Sequence, residues 1–247
     1  MRRTLLALLL MLLALPARAG STNVAVAANF TETATAIAAA FKAATGHEAV
    51  LSFGASGALY AQITQGAPFD ILLSADQERV RQTEEAGLAV PETRFTYAVG
   101  RLVLWSRDGR ATLGDAALKA GGFRKLAIAN PASAPYGEAA IDTLKALKLY
   151  DGVKAKIVQG ASIAQTFQFA ATGNADMAFV ALSQVISRTE GGRWLVPQTL
   201  HKPILQDAVL LRTGEANAAA KAFMAFLKGD DARFFIERQG YETQAPR

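Results

Sequence analysis

Four times in this chain an apolar, β-like run ends in a short loop of small residues, and a helical pattern begins at once. The loops lie at residues 27–31, 51–63, 130–137 and 160–165. The clearest is L-S-F-G-A-S-G-A-L-Y-A-Q-I, residues 51–63. Gly54 and Gly57 there let the backbone bend and let a ligand come close. The first amides of a helix have no internal partner and carry the positive end of its dipole. Such a junction binds anions without lysine or arginine. Repeated β-α junctions also dictate a parallel sheet with helices on its faces.

Taken in order, strands are predicted at residues 23–27, 48–53 and 70–73, each followed by a helical pattern. Asn29 with Glu32, and Ser74 with Gln77, have the spacing of capping boxes. Residues 97–106, Y-A-V-G-R-L-V-L-W-S, read as one long strand. A second series follows: strands at 125–129, 156–158 and 175–181, helices at 113–120, 137–147 and 162–172, and a helix beginning at 183–187. Ser162 and Gln165 form a third capping-box pair. Residues 204–212 read as a strand returning the chain to the first unit, and 217–227 and 231–239 as two closing helices. The expected architecture is α/β with two lobes. Lobe I takes residues 20–100 and 207–247, lobe II takes 101–206, and the strands at 97–106 and 204–212 act as crossovers.

Residues 1–19 are expected to be an address rather than structure. Arg2 and Arg3 precede a run of Leu, Ala and Met at 5–15, and Ala17-Arg18-Ala19 offers a small-x-small cleavage site. That is the pattern of a secretory signal, and its apolar run is too short to span a bilayer. Export to the periplasm follows. Charge must then be judged without Arg2, Arg3 and Arg18. Of 26 Lys+Arg, 23 remain against 21 Asp+Glu. So slight and scattered an excess excludes a nucleic-acid partner, which needs a clustered basic face. The chain has no cysteine, so it has no disulfide, thiolate metal site or lipid-anchoring cysteine.

Enzymatic chemistry finds little support. G-A-S-G at 54–57 resembles a nucleophile elbow, but that motif is G-x-S-x-G and position 58 is alanine. His47 and His201 are the two histidines, both expected at the surface, and their spacing suits no zinc motif. No glycine-rich nucleotide signature is present. Taken singly, Asn29, Ser56 and Ser162 are helix caps, each worth about 1 kcal/mol. Taken as parts of four similar loops, they describe a cleft in which strand ends aim helix N-termini at one anion.

The runs V-A-V-A-A-N-F, S-F-G-A-S-G-A-L-Y-A-Q-I, G-A-P-F-D-I-L-L-S-A-D-Q and A-D-M-A-F-V-A-L-S resemble the periplasmic molybdate-binding proteins of ABC importers, across essentially the whole mature chain. The resemblance implies a type II periplasmic-binding-protein fold that closes on molybdate or tungstate, with no cofactor and no catalysis. It implies a monomer that hands its ligand to a membrane permease. Carried over by position, the oxyanion-binding residues are Asn29, Ser56, Tyr136 and the backbone amide of Ile163. Some members carry a tyrosine where this chain has Ala181, and the Tyr136 phenol is then the available substitute. None of the four positions is a carboxylate or a cation. A dianion offers only acceptors, so a site of donors suits it. Sulfate is the alternative ligand, and a secreted serine hydrolase using Ser56 is the alternative from another class.

Overall fold

The computed structural model describes residues 19–243. All of the expected signal segment except Ala19 lies outside the described residues. Strands are β1 (Ser21–Ala27), β2 (Glu48–Gly54), β3 (Ile71–Leu73), β4 (Phe95–Gly100), β5 (Leu102–Ser106), β6 (Leu126–Ala129), β7 (Ile157–Gly160), β8 (Met177–Ala181), β9 (Gly192–Leu195) and β10 (Ile204–Leu210). Helices are α1 (Thr31–Thr45), α2 (Ser56–Thr64), α3 (Glu78–Glu85), α4 (Asp115–Ala120), α5 (Pro135–Ala146), α6 (Tyr150–Val153), α7 (Ile163–Ala171), α8 (Ala218–Leu227) and α9 (Asp230–Arg238).

The strands form two five-stranded sheets, in the orders β2-β1-β3-β10-β4 and β7-β6-β8-β5-β9. Each follows one plan. A parallel trio, β2-β1-β3 or β7-β6-β8, is extended by two antiparallel neighbours. The inner strands β3, β6 and β8 are apolar and buried because helices cover both faces, while the edge strands β2 and β7 are partly exposed. Val24, Val26, Ile71 and Leu73 pack against Phe41 and Phe223 on one face of the first sheet, while Leu72 and Val209 pack with Leu59 and Ile63 on the other. A third cluster runs between the lobes. In it Ala27, Ala28, Ala55 and Ala75 of the first lobe meet Tyr136, Ile163 and Ile204. Small side chains at that seam let the backbones of the two lobes approach.

The run at 97–106 is not one strand. It breaks at Arg101 into β4 of the first sheet and β5 of the second, so the chain crosses between lobes there. Periodicity cannot detect such a break, since both halves are β. The crossover is tight. A Cβ on Gly100 would overlap the Tyr136 hydroxyl and stand 2.7 Å from Gln206 Nε2. The return crossover, β10, pairs with β4 from Ile204 onward and carries a bulge between Gln206 and Asp207. No helix forms at 183–187, where a single 3₁₀ turn, Leu182–Gln184, is followed by β9, a strand that had no clear signal.

Two of the three expected capping boxes are absent. A 3₁₀ turn, Ala28–Phe30, precedes α1, and Phe30 rather than Asn29 stands at the cap. Ser74 turns back to Asp76 (3.2 Å), and α3 starts four residues later, at Glu78. Ser162 does cap α7, accepting from the Gln165 amide at 3.3 Å, but Gln165 reaches back to the Ala161 amide (2.7 Å) instead of the cap's own. Ser56 is no cap either; Ala55 holds that place in α2.

Gly137 fixes where α5 meets the end of β6. A Cβ there would overlap the Ala129 carbonyl oxygen and sit 3.0 Å from Pro131 N. Both are backbone atoms and cannot swing aside. Gly137→Ala should therefore lift the N-terminus of α5 off β6. Overpacking of this kind costs about 1–3 kcal/mol, or roughly 2–12 °C in Tm for a chain of this size. A melting curve unchanged from that of the unaltered protein would show that α5 is not held this closely.

Candidate functional site

The carboxyl ends of β1 and β2, side by side in the first sheet, meet that of β6 at the seam between the lobes. The loops that follow them, with the start of α7 after β7, border a small, half-open cavity of about 10 Å³. That is about the room one water molecule needs, so only a very small ligand suits it. Its lining includes Asn29, Ser56, Tyr136 and Ile163, which come from four separate segments, together with Ala27, Ala55, Ala75 and Pro135. All four of the named residues are buried.

The cavity is rich in donors. Ser56 Oγ accepts from the Ala75 amide (2.9 Å), and among the described residues its own proton has no acceptor. The backbone amides of Ser56 and Ile163 open α2 and α7, where no turn of helix precedes them to accept. The Tyr136 hydroxyl accepts from Gln206 Nε2 (3.3 Å). Burial pushes the phenols of Tyr97 and Tyr136 well above the usual range, and that of Tyr241 up as well, so each keeps its proton. No Lys, Arg, Asp, Glu or His lines the cavity.

Asn29 is held differently from a surface donor. Its Nδ2 donates to Gln206 Oε1 and to the Tyr241 hydroxyl, both at 3.0 Å, which commits both of its amide protons. Its carbonyl accepts from Tyr241 (2.7 Å) and Ser183 Oγ (2.9 Å). The Asn29 side chain is thus a strut of the first loop. Gln206, Tyr241, Ser183 and Tyr97 complete this buried network and were not singled out from the sequence. One signal for them was present: the pair Gln206-Asp207 interrupts the apolar run I-L-Q-D-A-V-L, and both residues are buried.

Neither histidine stands at the cavity. His47 Nδ1 accepts from the Gly20 amide (2.9 Å) and His201 Nδ1 lies 2.7 Å from the Lys202 carbonyl oxygen. His201 is buried, contrary to the expected surface position, at the end of the 3₁₀ turn that precedes β10. Among the described residues no three His, Asp or Glu side chains converge as metal ligands would.

The carboxylates stand outside, in a neighbouring groove lined by Asp76, Glu78, Glu138 and Asp142 with Lys202. Burial raises the Asp76 carboxyl above its ordinary 3.8, against the opposing bond from the Arg79 amide (2.7 Å). The folded protein therefore binds this proton more tightly than the unfolded chain does. The stability it contributes is present in full below about pH 4 and is lost as pH rises through the raised value. Asp76→Asn should remove that slope. Urea midpoints measured from about pH 4 to 7 should shift progressively in favour of the variant, and a difference independent of pH would count against a raised Asp76.

This geometry has counterparts among known proteins. A sequence model described as "Bacterial extracellular solute-binding protein" matches residues 22–242. The molybdate-binding protein ModA of Rhodobacter capsulatus is 53% identical over 236 residues, covering 96% of this chain and 94% of that protein. ModA of Azotobacter vinelandii is 49% identical, covering 94% of each. The solved structure of the Azotobacter vinelandii periplasmic molybdate-binding protein superposes with a TM-score of 0.87 at 38% identity, over 91% of this chain and all of that one. The sulfate-binding protein SubI of Mycobacterium tuberculosis superposes at 0.76 with 15% identity, covering 92% of this chain and 88% of that one, a likeness of fold alone. Two α/β lobes that meet over a small cavity of donors, and a family match that spans nearly every described residue, lead to one assignment: the chain belongs to the bacterial extracellular solute-binding proteins.

Proposed function

We propose that this protein captures molybdate, and tungstate with it, between its lobes and delivers the anion to the membrane permease of an ABC importer. The observation that carries the reading is the cavity itself, with donors from separate loops and no charged side chain. Relatives about half identical over nearly the full chain bear molybdate in their names. The proposed ligands' oxygens would be met by Ser56 Oγ, the Tyr136 hydroxyl, and the backbone amides of Asn29, Ser56 and Ile163. The protein acts as a carrier and not as an enzyme, needs no cofactor, and works as a monomer in the periplasm after its N-terminal signal is removed. Ala181 is not among the residues that line the cavity, which leaves Tyr136 as its one phenol.

Donors alone cannot satisfy the proton of a protonated oxyanion. Molybdate and tungstate should therefore bind tightly, sulfate weakly and phosphate least. Calorimetry with the four anions on the mature protein tests this order, and phosphate binding as tight as molybdate would overturn it.

Tyr136→Phe keeps the buried ring and removes only the hydroxyl. A hydrogen bond to a charged partner is worth about 1.5–3 kcal/mol, which is roughly a ten- to hundredfold loss of molybdate affinity. Unchanged affinity would remove the phenol from the site and leave it a packing residue.

A further inference from the structure

Gln206 touches the cavity through another residue. It is fully buried on β10, at the bulge where the chain returns to the first sheet. Its Oε1 accepts from Asn29 Nδ2 (3.0 Å) and from the Tyr97 hydroxyl (3.1 Å). The Tyr97 proton is shared with the Ser74 carbonyl (3.1 Å), so it is Asn29, itself oriented by donating to Tyr241, that fixes which end of the carboxamide is the oxygen. The nitrogen is thereby turned to the Tyr136 hydroxyl, 3.3 Å away. Gly100 makes this meeting possible, since a side chain there would occupy the space of both groups.

The consequence follows from counting protons. A carboxamide nitrogen donates and does not accept. The Tyr136 oxygen must therefore be the acceptor in its bond to Gln206, and its single proton is left over. Among the described residues that proton has no acceptor, and Tyr136 lines the cavity. We infer that Gln206 is a positioning residue that holds the Tyr136 hydroxyl as an obligate donor, so that the cavity selects oxyanions bare of protons over those that carry one.

The inference rests on the functional reading above and names the device behind its selectivity. An oxyanion with a proton needs an acceptor in the wall. The phenol oxygen would be the natural one, but Gln206 already engages it as an acceptor and leaves its proton to face the cavity. The oxygen end of the same carboxamide holds Asn29, so one side chain sets both the first loop and the phenol.

Gln206→Glu tests this with little change of shape. A carboxylate still accepts from Asn29 and Tyr97, but it also accepts from Tyr136. The phenol's proton would turn away from the cavity and its lone pair toward it. The added charge repels an anion on its own account, so the variant is compared in two backgrounds, where that repulsion is shared and cancels. Calorimetry is run on the mature protein, Tyr136→Phe, Gln206→Glu and the double variant, with molybdate and with phosphate. The expected result is a loss of molybdate affinity on Gln206→Glu that is at least tenfold larger with Tyr136 present than in the Tyr136→Phe background. The preference for molybdate over phosphate should also narrow while Tyr136 is present. Equal losses in both backgrounds would mean that Gln206 acts elsewhere and would overturn the inference. If Gln206→Glu does not fold, Gln206→Met, neutral and of similar length, takes its place in the same cycle, and equal losses there overturn the inference likewise. Failure of the unaltered protein to bind molybdate is a separate outcome: it overturns the functional reading first, and this inference falls with it.

Discussion

Taking an anion out of water costs several kcal/mol even after the protein relaxes around it. No lysine or arginine lines this cavity to offset that cost. What remains is the polarity of the backbone and of neutral hydroxyls. A charge near one helix N-terminus gains about 0.3–1 kcal/mol, and a charge-assisted hydrogen bond about 1.5–3 kcal/mol. One loop is therefore too little, and several converging on one point are enough. Both sheets serve this requirement. A parallel strand delivers its helix N-terminus at the carboxyl end, and two such sheets facing each other bring several ends together. The antiparallel strands β5 and β10 are where the chain enters the second sheet and returns to the first.

That requirement also explains how much could be read in advance. The β-α repeats, the small loops and the closing helices are local patterns, and they set the architecture. Asn29, Ser56, Tyr136 and Ile163 were all named from their loops, and the structure gathers them around one cavity. The hidden parts depend on distant chain. Nothing near position 206 reveals that its amide will meet residues 29, 97 and 136. The caps failed for a related reason. Asn29 and Ser74 have the composition of caps, yet Asn29 is drawn into a buried network and Ser74 into a turn with Asp76. Short polar side chains bond whichever backbone or side-chain group lies nearest, and tertiary packing decides which that is.

Tyr241 shows how far the network reaches. It stands beyond α9, yet its hydroxyl contacts Asn29 of the first lobe and Ser183 of the second. The next residue, Glu242, pairs through its backbone with Val99 in β4 and through its carboxylate with Arg101 at the crossover. This last described stretch is thus laid across the hinge and joined to the site by one phenol. Its sequence gives no warning of this, because a tyrosine after a terminal helix reads as a surface residue.

Besides the bonds of Tyr136, Tyr241 and Glu242, direct bonds join the lobes beside the cavity. The Gly57 amide donates to the Ser133 carbonyl (2.9 Å), Arg79 Nη2 to the Ala132 carbonyl (3.1 Å), and Ser183 Oγ to the Asn29 carbonyl. Gly57 permits the first, since a Cβ there would crowd Ser133 Cα at 3.0 Å. Each such bond nets about 1 kcal/mol, because water replaces it when the lobes part. The apolar seam of Ala27, Ala28, Ala55 and Ala75 against Tyr136 and Ile163 adds to these bonds in holding the lobes in contact. An anion between them adds bonds of the same order to both sides at once, and those bonds exist only when the lobes meet. A ligand shifts an equilibrium by its difference in affinity for the two states, and about 5.5 kcal/mol moves it from 1:99 to 99:1. Three or four charge-assisted bonds made only in the closed state supply that much. The same small, uncharged cavity thus accounts for holding the anion and for closing over it.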